Sequence, residues 1–249
     1  MERVAEAIAR AYANSPFLAG LVDRNADLMP LIHAGDFDTA LANALARHAD
    51  SVGTALRKQR QGVALVTAIA DLAGVWDLTR VTHILSDFAD HALDQAIEAA
   101  IQERMPGAPN QGFAVIALGK HGGRELNYSS DIDPIFLFDP KTLPHREGED
   151  VAEAAVRYGR RVIALLSALD GDGYVFRVDM RLRPSPEVSP IVLPVEAAIG
   201  YYESSALAWE QAAFIRARVS SGDRALGAYF MHAITPFIWR KSLDFGQLK

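Results

Sequence analysis

Three aspartates have a spacing that could bring their carboxylates together. Asp131 and Asp133 are two residues apart at the start of an apolar run, 132–138, and Asp179 lies in a second run, 176–184. Residues two apart on a β-strand point the same way, so Asp131 and Asp133 are predicted to share one face. Hard divalent cations take carboxylate ligands and usually share them with substrate phosphate. The pattern therefore predicts a metal site for nucleotidyl transfer.

The run that contains Asp179 alternates between apolar and polar residues. Its apolar positions are Phe176, Val178, Met180 and Leu182, and its polar positions are Arg177, Asp179, Arg181 and Arg183. This alternation predicts a strand whose polar face carries a carboxylate flanked by guanidinium groups. Because guanidinium forks onto phosphate oxygens, Arg181 and Arg183 are predicted to contact phosphate.

A glycine-rich turn precedes the aspartate pair. The apolar run 113–118 predicts a buried strand, and Gly119, Gly122 and Gly123 follow it. Glycine lets the backbone turn sharply and approach a ligand, and successive N–H groups can form an anion-binding nest. The turn is not a Walker A loop, because no Gly-Lys-Ser/Thr follows, and it lacks the Gly-x-Gly start of a dinucleotide-binding fingerprint.

Each of these patterns also has a purely structural explanation. A glycine turn can simply connect two elements, an Asp-x-Asp pair can be a solvated strand edge, and an Arg/Asp face can be the wet side of an antiparallel sheet. Their occurrence together, in this order, favours the site.

The same stretches resemble the nucleotidyltransferase signature of the bacterial glutamine synthetase adenylyltransferase/adenylyl-removing enzymes. The resemblance covers about residues 110 to 245 in ordered blocks. The blocks are Gly119–Asp133, Arg177–Pro184, Tyr201-Tyr-Glu203, Trp209-Glu-Gln211, Ile215–Val219 before Gly222-Asp223, and Pro236–Arg240 before Leu243-Asp-Phe245.

This family belongs to the DNA polymerase β-like nucleotidyltransferase superfamily, so the resemblance implies an α+β catalytic fold. It implies that Asp131, Asp133 and Asp179 are catalytic and hold Mg²⁺ or Mn²⁺. The residues implied in nucleotide and phosphate binding are Gly119, Lys120, Gly122, Gly123, Ser130, Arg181 and Arg183.

Enzymes of this family carry two copies of the catalytic domain. The N-terminal copy removes AMP from an adenylylated tyrosine of glutamine synthetase by phosphorolysis, giving ADP, and the C-terminal copy attaches AMP. The Met1 start, the helical segment ahead of the motif, and the forms of 179–184 and 201–203 resemble the N-terminal copy. We therefore expect the adenylyl-removing half, truncated at Lys249, acting in the regulation of nitrogen assimilation.

The expected partners are glutamine synthetase, a PII-type signalling protein, nucleotide and inorganic phosphate. Two alternatives stay open. One is adenylyl transfer from ATP to a protein tyrosine with the same metal site. The other is a non-enzymatic regulatory module that binds glutamine synthetase or a PII-type protein; an intact Asp131/Asp133/Asp179 set argues against it.

Three positions depart from the family pattern. Pro134 stands where an aliphatic residue is usual, and because proline has no N–H, it predicts an edge position or a local break in the sheet. The segment 185–190 lacks the usual glycines. His121 replaces a common leucine, and we predict a structural or neutral role for it.

Composition limits the function classes. The net charge of the 249-residue chain is −6, which argues against a general nucleic-acid binder. The chain has no cysteine and no apolar run of the ~18–20 residues that a membrane span needs. We expect a cytoplasmic enzyme that uses no disulfide, nucleic acid or membrane. The basic cluster 57–60 is predicted to be a solvated helix face.

Periodicity predicts the organisation of the chain. Residues 1–108 are predicted to form a helical N-terminal region, and 109–249 a catalytic domain with following helices. The clearest helical stripe runs from about Asp77 to Met105. Further helices are predicted over 149–169, 194–204 and 206–219.

Overall fold

A computed structural model describes residues 2–239. Met1, Arg240 and the family block at 243–245 lie outside the described residues. Residues 2–239 form twelve helices and a four-stranded sheet, which confirms the predicted α+β class. No helix in this part of the chain combines the length and apolar character needed to cross a membrane.

The elements have the following bounds. The helices are α1 Glu2–Asn14, α2 Pro16–Arg24, α3 Met29–Ala34, α4 Phe37–Leu45, α5 Val52–Leu72, α6 Leu78–Arg104, α7 Gly119–Gly122, α8 Val151–Ser167, α9 Val195–Ser204, α10 Ala208–Phe214, α11 Arg224–Ala233 and α12 Thr235–Ile238. The strands are β1 Phe113–Leu118, β2 Asp133–Phe138, β3 Val192–Pro194 and β4 Arg218–Gly222.

Short polar side chains set the starts of the N-terminal helices. Ser15, Asp36 and Ser51 accept hydrogen bonds from the backbone N–H groups of Leu18, Thr39 and Thr54, and so cap α2, α4 and α5. Such caps satisfy N–H groups that have no partner within the helix.

The chain divides into two compact units. Of the described residues, one unit contains 2–88, 124–129 and 168–175, and the other contains 89–123, 130–167 and 176–239. This division falls inside α6, whereas the sequence predicts a domain boundary near residue 108. That boundary stays a prediction, and α6 provides a way to test it.

In the first unit, α5 packs closely against α4 at Gly62, and three of its polar side chains, Arg57, Gln59 and Thr67, are buried. A side chain at Gly62 would lie 2.7 Å from Cβ of Ala44. Arg57 is buried and forms an ion pair with Asp170 (2.5 Å). The guanidinium of Arg60 stacks 4.7 Å from the ring centre of Tyr174. The prediction of a solvated basic face over 57–60 is therefore wrong for these two arginines.

The second unit is built on a sheet with the strand order β3-β2-β1-β4. β1 pairs antiparallel with β2 and β4, and β2 pairs parallel with β3. Every residue of β1 is buried, as expected of an apolar strand with a neighbour on each side. Pro134 occupies a local break, because the pairing of β2 with β3 begins only at Phe136.

The helices that follow the sheet form an aromatic core. Tyr202 is buried and its ring contacts those of Phe214, Phe230 and Phe237, with centroid distances of 4.8, 5.9 and 5.5 Å. Beside them, Tyr201 donates a hydrogen bond to the buried carboxylate of Glu210 (3.0 Å). The family blocks at 201–203 and 209–211 therefore meet within this core.

Two predicted elements are wrong. The run 176–184 is not a regular strand; it makes one parallel bridge, between Val178 and Ile132. The helix predicted over 206–219 ends at Phe214, and Arg218 begins β4. The pairing of Ala117 with Arg218 in the sheet replaces the helical conformation there.

The predicted domain boundary can be tested by truncation. The C-terminal part of α6 supplies the second unit with buried side chains: Ala92, Leu93, Ala96, Ile97, Ala100 and Ile101. A chain that starts at Pro109 lacks this helix and is expected to aggregate, because the apolar surface under α6 becomes exposed. A chain that starts at Ala89 keeps it and is expected to be more soluble. Size-exclusion chromatography and thermal unfolding compare them, and a soluble, cooperatively unfolding Pro109 chain would contradict the expectation.

Candidate functional site

The pairing of β1 with β2 places the glycine turn against the aspartate pair. Leu118, the last residue of β1, is opposite Asp133, the first residue of β2. Gly119 follows with φ +57°, and a Cβ at that position would lie 2.6 Å from Oδ2 of Asp133. The absence of a side chain and the left-handed backbone are both needed for this approach.

Two backbone hydrogen bonds bring the third aspartate to the same place. The N–H of Ile132 donates to the carbonyl of Arg177 (3.0 Å), and the N–H of Asp179 donates to the carbonyl of Ile132 (2.9 Å). Asp179 is therefore held beside the residue that separates Asp131 from Asp133. A single β-bridge, rather than the predicted strand, therefore places Asp179 near the other two aspartates.

The three carboxylates are electrostatically coupled. Burial, together with the negative charges of Asp131 and Asp179, raises the pKa of Asp133 to about 6, although Arg181 and Lys120 oppose the shift. The hydrogen bond from Arg181 holds the pKa of Asp179 below its usual range. The cluster thus carries more negative charge than its own cations neutralise, and it favours an additional positive charge.

The two predicted phosphate-binding arginines have different environments. Arg181 is exposed and its guanidinium pairs with the carboxylate of Asp179. Arg183 instead donates to the carbonyls of Met180 (2.7 Å), Pro186 (2.6 Å) and Ser189 (3.4 Å) within its own loop. The structure therefore brings Arg181, but not the guanidinium of Arg183, into contact with the carboxylate cluster.

The remaining predicted site residues lie on the turn or next to the aspartates. Lys120 is exposed and Gly123 is half-buried, whereas Gly122 packs against the backbone carbonyls of Ala117 and Arg216, where a side chain would clash. Gly122 therefore has a packing role in addition to any contact with phosphate. Ser130 is half-buried and directly precedes Asp131.

The donor set suits a hard divalent cation. Among residues 2–239, no three acidic, histidine or cysteine side chains form a ready-made metal site. The oxygen-only chemistry of Asp131, Asp133 and Asp179 and their mutual repulsion nevertheless fit such an ion, which commonly completes its coordination with water and substrate phosphate.

Comparison with known proteins identifies the family. Residues 2–233 match the family described as glutamate-ammonia ligase adenylyltransferase. The chain belongs to this family. It is 43% identical over 261 aligned positions, covering 97% of the chain, to the bifunctional glutamine synthetase adenylyltransferase/adenylyl-removing enzyme of Caulobacter vibrioides. It is 39% identical, over 93% of the chain, to the protein of the same name from Xanthobacter autotrophicus.

These alignments cover 26% and 25% of the two relatives. The chain therefore spans about a quarter of the length of the curated relatives it matches. A third relative of the same name, from Rhizobium meliloti, is 40% identical over 78% of the chain and 21% of its own length. The family membership agrees with the resemblance carried by the glycine turn and the aspartates.

A partly buried polar network behind the glycine turn was not predicted from the sequence. The carboxylate of Asp90, on α6, contacts Nε2 of His121 (2.7 Å) and both terminal nitrogens of Arg218 (2.6 and 2.9 Å). Asp90 and Arg218 are 128 positions apart, so no local pattern connects them. The one available signal was His121 itself, a polar ring within an otherwise glycine-rich turn.

Proposed function

We propose that this chain removes AMP from an adenylylated tyrosine of glutamine synthetase by phosphorolysis and releases ADP. The observation that supports this most directly is the coupling of Asp131, Asp133 and Asp179 beside a glycine turn. Such an acidic cluster suits cation-assisted chemistry on a phosphate. The name shared by the relatives, which includes both adenylyl transfer and adenylyl removal, supports adenylyl chemistry on glutamine synthetase.

In this proposal the chain's residues bind and orient two anionic groups. Asp131, Asp133 and Asp179 would hold Mg²⁺, or Mn²⁺ in its place. A bound divalent ion supplies charge neutralisation at the phosphoryl oxygens. Arg181 and Lys120 would attract the phosphates. N–H groups at the start of the glycine turn would donate to their oxygens, whereas that of Gly123 already donates to the carbonyl of Gly119 (3.1 Å).

The reaction balances with inorganic phosphate as the only co-substrate. An oxygen of phosphate attacks the α-phosphorus of the tyrosyl-AMP group and forms the new P–O bond of ADP. The bond from phosphorus to the tyrosine oxygen breaks, and the phenolate leaves and takes up a proton from solvent. A phenol has a pKa of about 10, so it is a good leaving group, and charge stabilisation can supply most of the catalysis.

Two other functions use the same observations. Adenylyl transfer from ATP to a protein tyrosine needs the same carboxylates and differs in the attacking group. We favour removal because residues 179–184 and 201–203 resemble the N-terminal catalytic copy of the family. A non-enzymatic module has no need for three coupled carboxylates, which argues against it. We further propose a PII-type signalling protein as a regulatory partner.

The direction of transfer can be measured with the purified chain. Adenylylated glutamine synthetase is incubated with Mg²⁺ and either inorganic phosphate or buffer alone, and the nucleotide products are separated by chromatography. We expect ADP to appear only with phosphate, because phosphate is the attacking group. Parallel reactions contain unmodified glutamine synthetase and labelled ATP.

The parallel reactions separate the alternatives. Labelling of unmodified glutamine synthetase from ATP, with pyrophosphate release and no phosphate-dependent ADP, would replace the proposal by the adenylylating function. Binding of glutamine synthetase without either reaction would favour the regulatory module.

A further inference from the structure

The network behind the glycine turn connects three elements of the second unit. Asp90 lies on α6, His121 lies in α7, and Arg218 begins β4. Besides its two contacts with Asp90, Arg218 donates to the backbone carbonyl of His121 (3.2 Å). The side chain and the backbone of His121 are therefore held by different members of the network, which fixes the position of the turn.

Burial and hydrogen bonding together determine the protonation states of His121 and Asp90. His121 has no exposed surface, and burial lowers the pKa of its ring more than Asp90 raises it, so the ring is neutral near pH 7. Burial by itself raises the pKa of Asp90, but the hydrogen bonds from His121 and Arg218 outweigh it and keep this carboxylate ionised. A neutral ring facing a carboxylate carries its proton on Nε2.

This proton leaves the other ring nitrogen as an acceptor. Nδ1 of His121 is buried and has no hydrogen-bond partner among residues 2–239. Nε2 of the ring thus keeps its hydrogen bond to Asp90, whereas Nδ1 is unsatisfied. An apolar residue at this position would need neither hydrogen bond. Because the unsatisfied Nδ1 lowers stability, we expect the contact between His121 and Asp90 to have a role other than stabilising the fold.

This role concerns the other residues of the same short turn. Gly119 lies close enough to Asp133 that a Cβ there would be 2.6 Å from Oδ2, and a Cβ at Gly122 would clash with the carbonyls of Ala117 and Arg216. Lys120, between them, is exposed and its charge acts on Asp133. A shift of His121 would move Lys120 and Gly119 relative to the carboxylate cluster.

We infer that Asp90, His121 and Arg218 are positioning residues that hold the glycine turn, and with it Lys120, in register with the carboxylate cluster. This inference uses the proposed function only for its kinetic test. None of the three residues is assigned a contact with substrate, and their effect on the reaction passes through the turn.

Asp94 provides a matched control on the same helix. One turn after Asp90, its carboxylate accepts from the N–H of Gly222 (2.7 Å) and from Arg224 (2.9 Å), so it also ties α6 to β4. Among residues 2–239, Asp94 forms no hydrogen bond or ion pair with residues 119–123. Asp90→Asn and Asp94→Asn should therefore both lower the melting temperature, but only Asp90→Asn should disturb the turn.

The first experiment does not depend on any enzymatic activity. Backbone amide spectra of the full chain are recorded for the wild type, Asp90→Asn and Asp94→Asn. We expect the amides of residues 119–123 to shift in Asp90→Asn and to stay in place in Asp94→Asn. If Asp90→Asn does not fold, it is replaced by Arg218→Lys. This variant keeps the positive charge but loses the two-pronged contact of the guanidinium with Asp90. Unchanged turn amides, or equal shifts in both variants, would overturn the inference.

The second experiment is a double-mutant cycle with Lys120→Met. If Asp90 acts through the turn, Asp90→Asn should reduce kcat about tenfold with Lys120 present and much less in the Lys120→Met background, because interacting residues are not additive. Equal reductions in both backgrounds would contradict this. If the wild-type chain shows no phosphorolysis, the proposed function is wrong. The amide spectra would still show whether the network holds the glycine turn.

Discussion

Asn in place of Asp131 or Asp179 is expected to lower the rate of phosphorolysis by roughly 10²- to 10³-fold, the size seen when a charge-stabilising group is removed from an active site. Asparagine keeps the shape of the side chain but loses the negative charge. Since Asp131 and Asp179 both raise the pKa of Asp133, each variant also relieves repulsion in the cluster. Stability should therefore be unchanged or slightly increased in Asp131→Asn, whereas Asp179→Asn also loses the exposed ion pair with Arg181 and should be unchanged or slightly less stable. Activity should fall in both.

The measurements are ADP release at saturating Mg²⁺, Mg²⁺ affinity by titration calorimetry, and urea unfolding. Asp38→Asn serves as the control, because Asp38 is a highly exposed aspartate that only pairs with Arg80 on the surface. We expect weaker Mg²⁺ binding in both site variants and wild-type behaviour in the control. Activity within tenfold of wild type in both site variants would disprove the assignment of the carboxylates.

The local parts of this site are predictable from the sequence. The two-residue spacing of Asp131 and Asp133, the buried strand that ends at Leu118 and the glycines after it all follow from backbone geometry, which a short sequence window contains. The helix starts at Ser15, Asp36 and Ser51 are local for the same reason.

The parts that depend on tertiary pairing are not predictable in this way. Alternation over 176–184 predicted a strand that does not form, although the structure does place Asp179 near Asp131 and Asp133. The alternation could not show that Val178 makes an isolated bridge to Ile132, or that the guanidinium of Arg183 donates to three carbonyls of its own loop. Side chains two residues apart point to the same side only where the backbone is extended.

The helix predicted through Val219 failed for a related reason. Residues 215–219 have no strong preference that excludes a helix, but Arg218 and Val219 find backbone partners on β1. That pairing also delivers Arg218 to Asp90, which the helical reading would have prevented. Sheet pairing between distant segments therefore determines both the strand at 218–219 and the contact between Arg218 and Asp90.

Alanine at Gly119 is expected to reduce activity by about 10²-fold, the cost of misplacing a reacting group by about an ångström. The added Cβ would lie 2.6 Å from Oδ2 of Asp133, so the carboxylate or the turn must move. The φ of +57° adds backbone strain of roughly 1–2 kcal/mol for a residue with a side chain. Both effects act at the position where β1 meets the aspartate pair.

Gly35→Ala separates the strain from the collision. Gly35 also has a positive φ, +79°, but a Cβ there would meet no atom within 4 Å. Gly35→Ala should lose only the free energy of unfolding that the left-handed backbone costs, whereas Gly119→Ala should lose that and the cost of displacing Asp133 or the turn. Only Gly119→Ala should lose ADP release and Mg²⁺ affinity. If the two variants keep the same activity, contact between the turn and Asp133 has no catalytic importance. A selective loss at Gly119 would instead place the glycine turn and the carboxylates in one functional unit, as the proposed phosphorolysis requires.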